Sequence, residues 1–378
     1  MVDYHVSSQY KIWKFENREE LEACRVYTNF MARKFLFEKG NNADSTTSNA
    51  PVSCFACSQA ERQKALQHNP DDGPWQSATG NHTYINAAQE KILVDFYLGK
   101  LPALVGPTAQ VRRMRRAPKV VATAAMLYQR FFVSNSVLLF DPKVLLVAAV
   151  FLATKTEDVM ASTKDLELAS ESMQAPVKTA DIVAAEVHLI AGVHFDLHCF
   201  HPYKTLDALT EDVRTHLKKA AMGETSSSRS GSSPDWKTIY DTARKLLDDA
   251  IVQKDVALLY TPSSIGLASL VKAAADTEQN QTEDNATASI PWKGYLEARF
   301  PQKDTDQVLE SVIPTIVKDF AQVYNNDVGA VKAVHKQLKK VKIWGGGGDG
   351  SKKKKKKKST EPDGESDRAK KRPKLEAS

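Results

Sequence analysis

The chain has 378 residues, 42% apolar and 26% charged, a balance that excludes a disordered or fibrous chain and allows two compact units. Its net charge of +6 lies in one segment: from Gly345 to Ser378 twelve Lys and Arg face six Asp and Glu, while the first 344 residues carry 40 of each sign. The body therefore lacks the bulk positive charge of a nucleic-acid-gripping domain, and the longest apolar run, Val144 to Ala153, is about half a membrane span.

Helical spacing dominates, and no strand alternation stands out. The opening MVDYHVSSQYKIWKF lacks the apolar core of a secretory signal. The first segment, 1–38, ends in an amphipathic helix from Arg18 to Phe37. Residues 39–83, rich in Asn, Ser, Thr, Gly and Pro, predict a mobile surface insertion. Cys54 and Cys57 form a CxxC there, but His68 and His82 stand fourteen residues apart, far from zinc-finger spacing. No metal site is expected, and Cys24, Cys54, Cys57 and Cys199 are read as free thiols of a reduced compartment.

Five helices at about 84–101, 118–133, 142–156, 162–174 and 179–194 make up a first unit, 84–200. Five more at about 202–221, 236–254, 262–276, 291–300 and 305–325 make up a second, 201–326, interrupted by a Ser/Gly insertion at 223–234. A last helix falls within 327–344, and the basic tail, 345–378, predicts disorder.

The two units repeat each other at an offset of 120 residues without a gap. LLFDP (138–142) answers LLYTP (258–262), Leu127 and Phe131 answer Leu247 and Ile251, and Leu145 and Ala148 answer Ile265 and Ala268. In each copy Asp141 or Thr261 caps a helix that begins with proline, where the missing N–H costs nothing. The first copy of that helix is apolar around most of its circumference, so other helices must surround it. An all-α fold of two five-helix bundles, each around a central buried helix, with further helices at both ends, satisfies the pattern.

Two charges stand out against it. Lys155 closes the apolar helix on the side of Val144, Ala148 and Phe151, where it also suits the helix C-terminus. In TADIVAAEVHLIAGVHFDL (179–197) the residues Ile182, Val183, Val187, Leu189, Ile190 and Val193 form one stripe, and Glu186 lies near its middle. A carboxylate there needs a partner, a covering surface, or a solvated rim at the helix end. Lys155 and Glu186 together could offer opposite charges to a binding partner.

Tandem five-helix units, RFF (130–132), the capped buried helix and its ending ATKTED (153–158) resemble the two boxes of the cyclin family. SSQYKIWKF (7–15), APKVVATAAMLYQRFFVSNSVLLFDPK (117–143), HPYKTLDALTEDV (201–213) and LLYTPSSIGLASL (258–270) resemble the cyclin H type within it. The resemblance covers most of 7–40 and 84–342. It implies two tandem cyclin boxes, no catalytic residue and no cofactor. It also implies a regulatory subunit that binds and activates a cyclin-dependent kinase as part of a CDK-activating kinase. The assembly factor of that kinase and transcription factor IIH are the further implied partners. Carried over from the family, Lys155 and Glu186 hold the backbone around the kinase's C-helix, which is pressed inward so that its glutamate pairs with the ATP-binding lysine. The insertions 39–83 and 223–234 depart from the family pattern, and EKILVDFYLGKL (90–101) lacks the Met-Arg start of the substrate-docking motif of cell-cycle cyclins. Another transcription cyclin, or a IIB-type general transcription factor that binds DNA through two cyclin folds, are the alternatives.

VRRMRR (111–116) reads as a solvated loop or as a contact for a phosphate or an acidic partner. GGGGDGSK (345–352) lacks the Gly-Lys-Ser/Thr ending of a phosphate loop and reads as a linker. No nucleophile–base set points to an enzyme. In the tail, Lys370, Lys371, Arg372 and Lys374 form a nuclear localisation signal, placing the chain in the nucleus; no membrane and no specific nucleic acid are expected partners.

Overall fold

The computed structural model describes residues 3–41, 52, 56–173, 175–223, 234–253, 255–279, 289–322 and 327–341. The basic tail with Lys370, Lys371, Arg372 and Lys374, the middle of the 223–234 insertion and Cys54 lie outside these. In chain order the main helices are α1 (Arg18–Asn41), α2 (Gln59–Gln67), α3 (Ala87–Leu98), α4 (Pro118–Ser134), α5 (Pro142–Thr156), α6 (Thr163–Ser170) and α7 (Thr179–Gly192). They continue with α8 (Tyr203–Gly223), α9 (Trp236–Gln253), α10 (Pro262–Gln279), α11 (Trp292–Arg299), α12 (Ile313–Phe320) and α13 (Val328–Val341). A π-turn, Val308–Val312, leads into α12. Among the described residues the sole β pairing is one bridge between Gln76 and Thr83.

Helix α5 starts as its sequence dictates, with the Asp141 side chain accepting from Lys143 N at 2.8 Å and proline in its first turn. Every residue from Leu145 to Thr154 is buried, and α3, α4, α6 and α7 enclose it. The second copy repeats this more loosely. Thr261 Oγ1 accepts from Ser264 N at 3.2 Å, and α10 buries Ile265, Ala268, Leu270, Ala273 and Ala274 against α8, α9 and α12.

Helix α4 is buried from Val120 to Ser134, more completely than a bundle's second helix requires. The reason is its neighbours: α1 lies on it from one side and α9 of the second bundle from another. At its end, Arg130 is fully buried and gives its guanidinium to Asp196 O at 2.9 Å and Gln9 Oε1 at 3.0 Å. Gln9 also accepts from Phe200 N at 2.7 Å, and Trp13, fully buried, donates to Asp196 Oδ2 at 3.1 Å. The SSQYKIWKF segment is thus held by RFF.

The second bundle is tied to the first by charge as well as by packing. Asp255, nearly fully buried, takes a bidentate pair from Arg25 of α1 at 2.7 and 3.1 Å and lies 3.5 Å from Lys91 of α3. Burial alone would raise the Asp255 carboxyl, but Arg25, Lys91 and Arg18 outweigh it and hold it well below the usual range. Helix α13 returns to the first bundle, where Val331, Val334 and Leu338 join its core and Tyr97 Oη meets His335 Nε2 at 3.1 Å.

The expectation of a mobile insertion across 39–83 is corrected for its second half. Helix α2 packs on α1, with Ala56, Arg62 and Ala65 buried. Arg62 donates to the carbonyls of Ala56, Lys14 and Ile12 and pairs with Glu20 at 3.2 Å. Arg33 does the same for Asp72 and Pro74 and lies 3.6 Å over the Trp75 ring. Two buried arginines supply the partners that a loop's backbone needs, so polar composition misjudged the segment. Cys24 and Cys199 are free and buried as expected, whereas Cys57 is disulfide-bonded.

Between α1 and the first bundle, Glu90 of α3 is buried and accepts from Asn29 Nδ2 at 2.9 Å and from the Ser136 hydroxyl. Burial pushes its carboxyl up to about 7 despite those two bonds and the backbone N–H groups of Leu138 and Val137. The folded state therefore binds a proton more tightly than the unfolded chain, so Glu90 favours folding at low pH and this contribution fades as pH rises to about 7. Glu90→Gln keeps the one oxygen to which Asn29 and Ser136 both donate, without the titration. Relative to wild type it should gain about 2–3 kcal/mol of stability between pH 5 and pH 8, measured by urea unfolding.

Candidate functional site

Where α5 ends, its apolar surface gives way to Lys155. The ammonium lies 3.9 Å over the ring of Phe151, one turn back, and 2.8 Å from both carboxylate oxygens of Glu186 on α7. Helix α7 runs along α5, which brings the two charges together from 31 positions apart in sequence. Glu186 is 8% exposed and Lys155 about a third exposed, so the pair sits at the boundary between core and surface.

The stripe read along α7 divides there. Ile182, Leu189 and Val193 enter the core, whereas Val183 and Val187 face outward, Val187 at 64% exposure. Glu186 stands on the dividing line, which explains why a carboxylate is tolerated in an apolar stripe. The solvated-rim alternative does not hold, because the carboxylate is mostly buried and paired.

Apolar side chains that would ordinarily be covered are exposed just beyond the ends of the two helices that carry the pair. Met160, just after α5, is 71% exposed beside Val159, and Phe195, just after α7, is 75% exposed. Phe195 and His194 both have left-handed backbones, φ 60° and 54°, which costs a residue with a Cβ about 1–2 kcal/mol. The turn persists because it is held from behind, with Phe195 N bonded to Ile190 O at 3.0 Å and Asp196 clamped by Trp13 and Arg130. Sequence reading did not single out Phe195 or Met160; the available signal was the non-glycine HF pair directly after a helix end.

The pair keeps hydrogen-bonding capacity to spare. Lys155 offers three N–H donors, of which Glu186 takes two, and Glu186 has further lone pairs. Together they can still receive a carbonyl and an N–H from a docked backbone. A second polar cluster lies nearby: Thr123 Oγ1 sits 2.6 Å from Glu157 Oε1 and 2.8 Å from His201 Nε2. It has the residue types of a nucleophile–base set, but Thr123 is buried. Burial, with Lys119 and Arg130 nearby, pushes the His201 imidazole down to about 3. The trio joins the first bundle to the HPY opening of the second. Among the described residues no group of three or more His, Cys, Asp or Glu could hold a metal, and no helix is long and apolar enough to cross a membrane.

The chain is an all-α double bundle with one partly buried ion pair at the boundary between core and surface. The family pattern described as "Cyclin, N-terminal domain" matches residues 109–198, and "Cyclin C-terminal domain" matches 201–325. The chain belongs to the cyclin family. Among its relatives, Cyclin CCL1 of Saccharomyces cerevisiae is 27% identical over 307 residues, 80% of this chain and 63% of that protein. The chain thus spans less than two thirds of that relative's length. Putative cyclin-H of Dictyostelium discoideum is 24% identical over 71% of this chain and 75% of its own length. In fold, the chain resembles one in the CAK complex from Chaetomium thermophilum bound to ATP-gamma-S, with TM-score 0.62 and 20% identity over 89% of this chain and 88% of that one. It also resembles one in the yeast TFIIK complex, with TM-score 0.52 and 23% identity over 84% of this chain and 100% of that one.

The pair's two halves should respond unequally to truncation. Glu186→Ala leaves an ammonium on a side chain about a third exposed and should cost no more than about 1 kcal/mol. Lys155→Ala strands a mostly buried carboxylate and should cost about 1–3 kcal/mol. Phe195→Asn, with a side chain that tolerates φ near 60°, should raise stability by up to about 1 kcal/mol. Urea unfolding monitored by circular dichroism measures all three.

Proposed function

We propose that this chain is a regulatory subunit of the cyclin H type that binds a cyclin-dependent kinase and activates it as a CDK-activating kinase, supporting cell-cycle kinase activation and transcription by RNA polymerase II. The observation that carries this reading is the Lys155–Glu186 pair, poised at the core boundary with spare hydrogen-bonding capacity, on two helices that carry exposed Val187 and are followed by exposed Met160 and Phe195. Relatives bearing the name cyclin-H and fold neighbours in complexes called CAK and TFIIK support it.

In this reading the apolar face receives the kinase's C-helix. Lys155 and Glu186 grip the backbone at its end, where helix carbonyls and N–H groups lack internal partners. Because the face fits the inward position of that helix, binding shifts the kinase toward its active arrangement, and this chain supplies no reacting group. The kinase's assembly factor and transcription factor IIH are the further partners proposed, and Lys370, Lys371, Arg372 and Lys374 direct the complex to the nucleus.

Glu186→Ala and Lys155→Ala should each weaken kinase binding by about 2–5 kcal/mol while the helical circular dichroism stays intact. Phe195→Asn should weaken binding as well, although it stabilises the free chain. Calorimetric titration with a recombinant cyclin-dependent kinase, together with its activity on a substrate, reads the effect. Unchanged affinity in all three variants would sink the proposal; loss of helix alongside loss of binding would make the pair structural.

A further inference from the structure

The two bundles differ at a place that their own repeat marks. In the first, Val147 of α5 is 1% exposed, and the core closes over it. Its counterpart at the 120-residue offset, Leu267 of α10, is only partly buried, and the bulk of Leu146 is answered by Gly266. There α8, α10, α11 and the π-turn surround a cavity of about 910 Å³. That volume lies within the range of small-molecule sites, about 300–1,000 Å³. Leu209, Leu267, Leu296 and Phe300 line it, with Val308 and Val312 from the two ends of the π-turn, a feature frequent at functional sites. Lys204 and Asp212, both on α8, also line it, so the cavity extends about 12 Å along that helix.

The cavity is apolar within and charged at its rim, and the rim is unbalanced. Asp212 is already satisfied: it accepts from Tyr295 Oη at 2.8 Å and pairs with Arg299. Lys204 and Lys303 line the same cavity, are exposed, and pair with no carboxylate among the described residues. Lys204 lies in the first turn of α8, and Ser263 and Ser264, also at the cavity, lie in the first turn of α10. The two helices touch there, the Thr205 Cβ lying 3.2 Å from where a Cβ on Gly266 would stand. Their positive ends add to the field of the Lys204 ammonium. An apolar chamber with a positive rim suits a ligand that has an apolar body and a negative head.

We infer that this cavity is a binding site for a small amphipathic carboxylate of the fatty-acid class, its acyl chain between Leu209, Leu267 and Val308 and its head at Lys204, with Lys303 adding to the positive rim. The chain leaves water for an apolar chamber, while the head stays at the exposed rim and keeps its hydration. The site belongs to the second bundle, whereas Lys155 and Glu186 belong to the first, so it stands independently of the docking reading.

The test titrates the full-length chain calorimetrically with decanoate, decanol and decyltrimethylammonium, each below its aggregation concentration. Wild type should bind one decanoate per chain about 10-fold more tightly than decanol, with the cation weakest and the preference shrinking in high salt. The double variant Lys204→Gln, Lys303→Gln should lose that preference and still bind decanol. Ala208→Trp, at an exposed position of α8 that lines the cavity, should fill it and abolish binding of all the probes with unchanged circular dichroism. Both variants should bind a recombinant cyclin-dependent kinase as wild type does. Absence of decanoate binding to wild type, a preference that survives the lysine changes, or unaltered binding in Ala208→Trp each overturns the inference. A wild-type dimer that Ala208→Trp dissociates also overturns it, because a second copy then fills the cavity. Loss of kinase binding in Ala208→Trp, with its helices intact, does so too, because the cavity is then part of the kinase interface.

Discussion

A helix with no polar side cannot rest on a surface; it has to be surrounded. Helix α5 imposes that constraint here, and α3, α4, α6 and α7 take their places around it. The arrangement fixes the functional surface at the same stroke. An apolar rod must end somewhere, and where α5 emerges its last turn carries Lys155 into the boundary layer beside α7. The carboxylate of Glu186 is affordable in an apolar stripe only because that ammonium is within hydrogen-bonding distance.

Buried polar side chains do what the apolar cores alone do not. Hydrophobic packing is non-directional and sets which faces meet, but it is tolerant of rotation and slip. Arg130, bonded at once to Gln9 and to the turn at Asp196, locks the N-terminal segment and the strained Phe195 turn into one register. Asp255, held by Arg25 and approached by Lys91, does the same for the junction of α1, the first bundle and the second. The exposed aromatic ring at 195 therefore depends on a guanidinium buried behind it, which is a reason for RFF to end α4.

Periodicity and capping exposed most of the architecture before any coordinates. The 120-residue repeat, the Asp141 and Thr261 caps and the helix boundaries from 118 onward were legible because they are local: each depends on side chains within a few turns of one helix. The insertion was misread for the opposite reason. Its order comes from Arg62 and Arg33 meeting carbonyls brought near by the fold, and composition carries no record of which carbonyl an arginine will reach.

The amino-acid order by itself determined that two capped apolar helices exist, that each needs a bundle around it, and that Lys155 and Glu186 are anomalies. Only the tertiary structure decided that these two meet each other, that the α7 stripe splits into a buried and an exposed half, and that Phe195 and Met160 stand in water. A helical wheel gives the angle of a side chain about its own axis. Burial depends on where neighbouring axes lie, and that is settled by contacts between segments far apart in the chain.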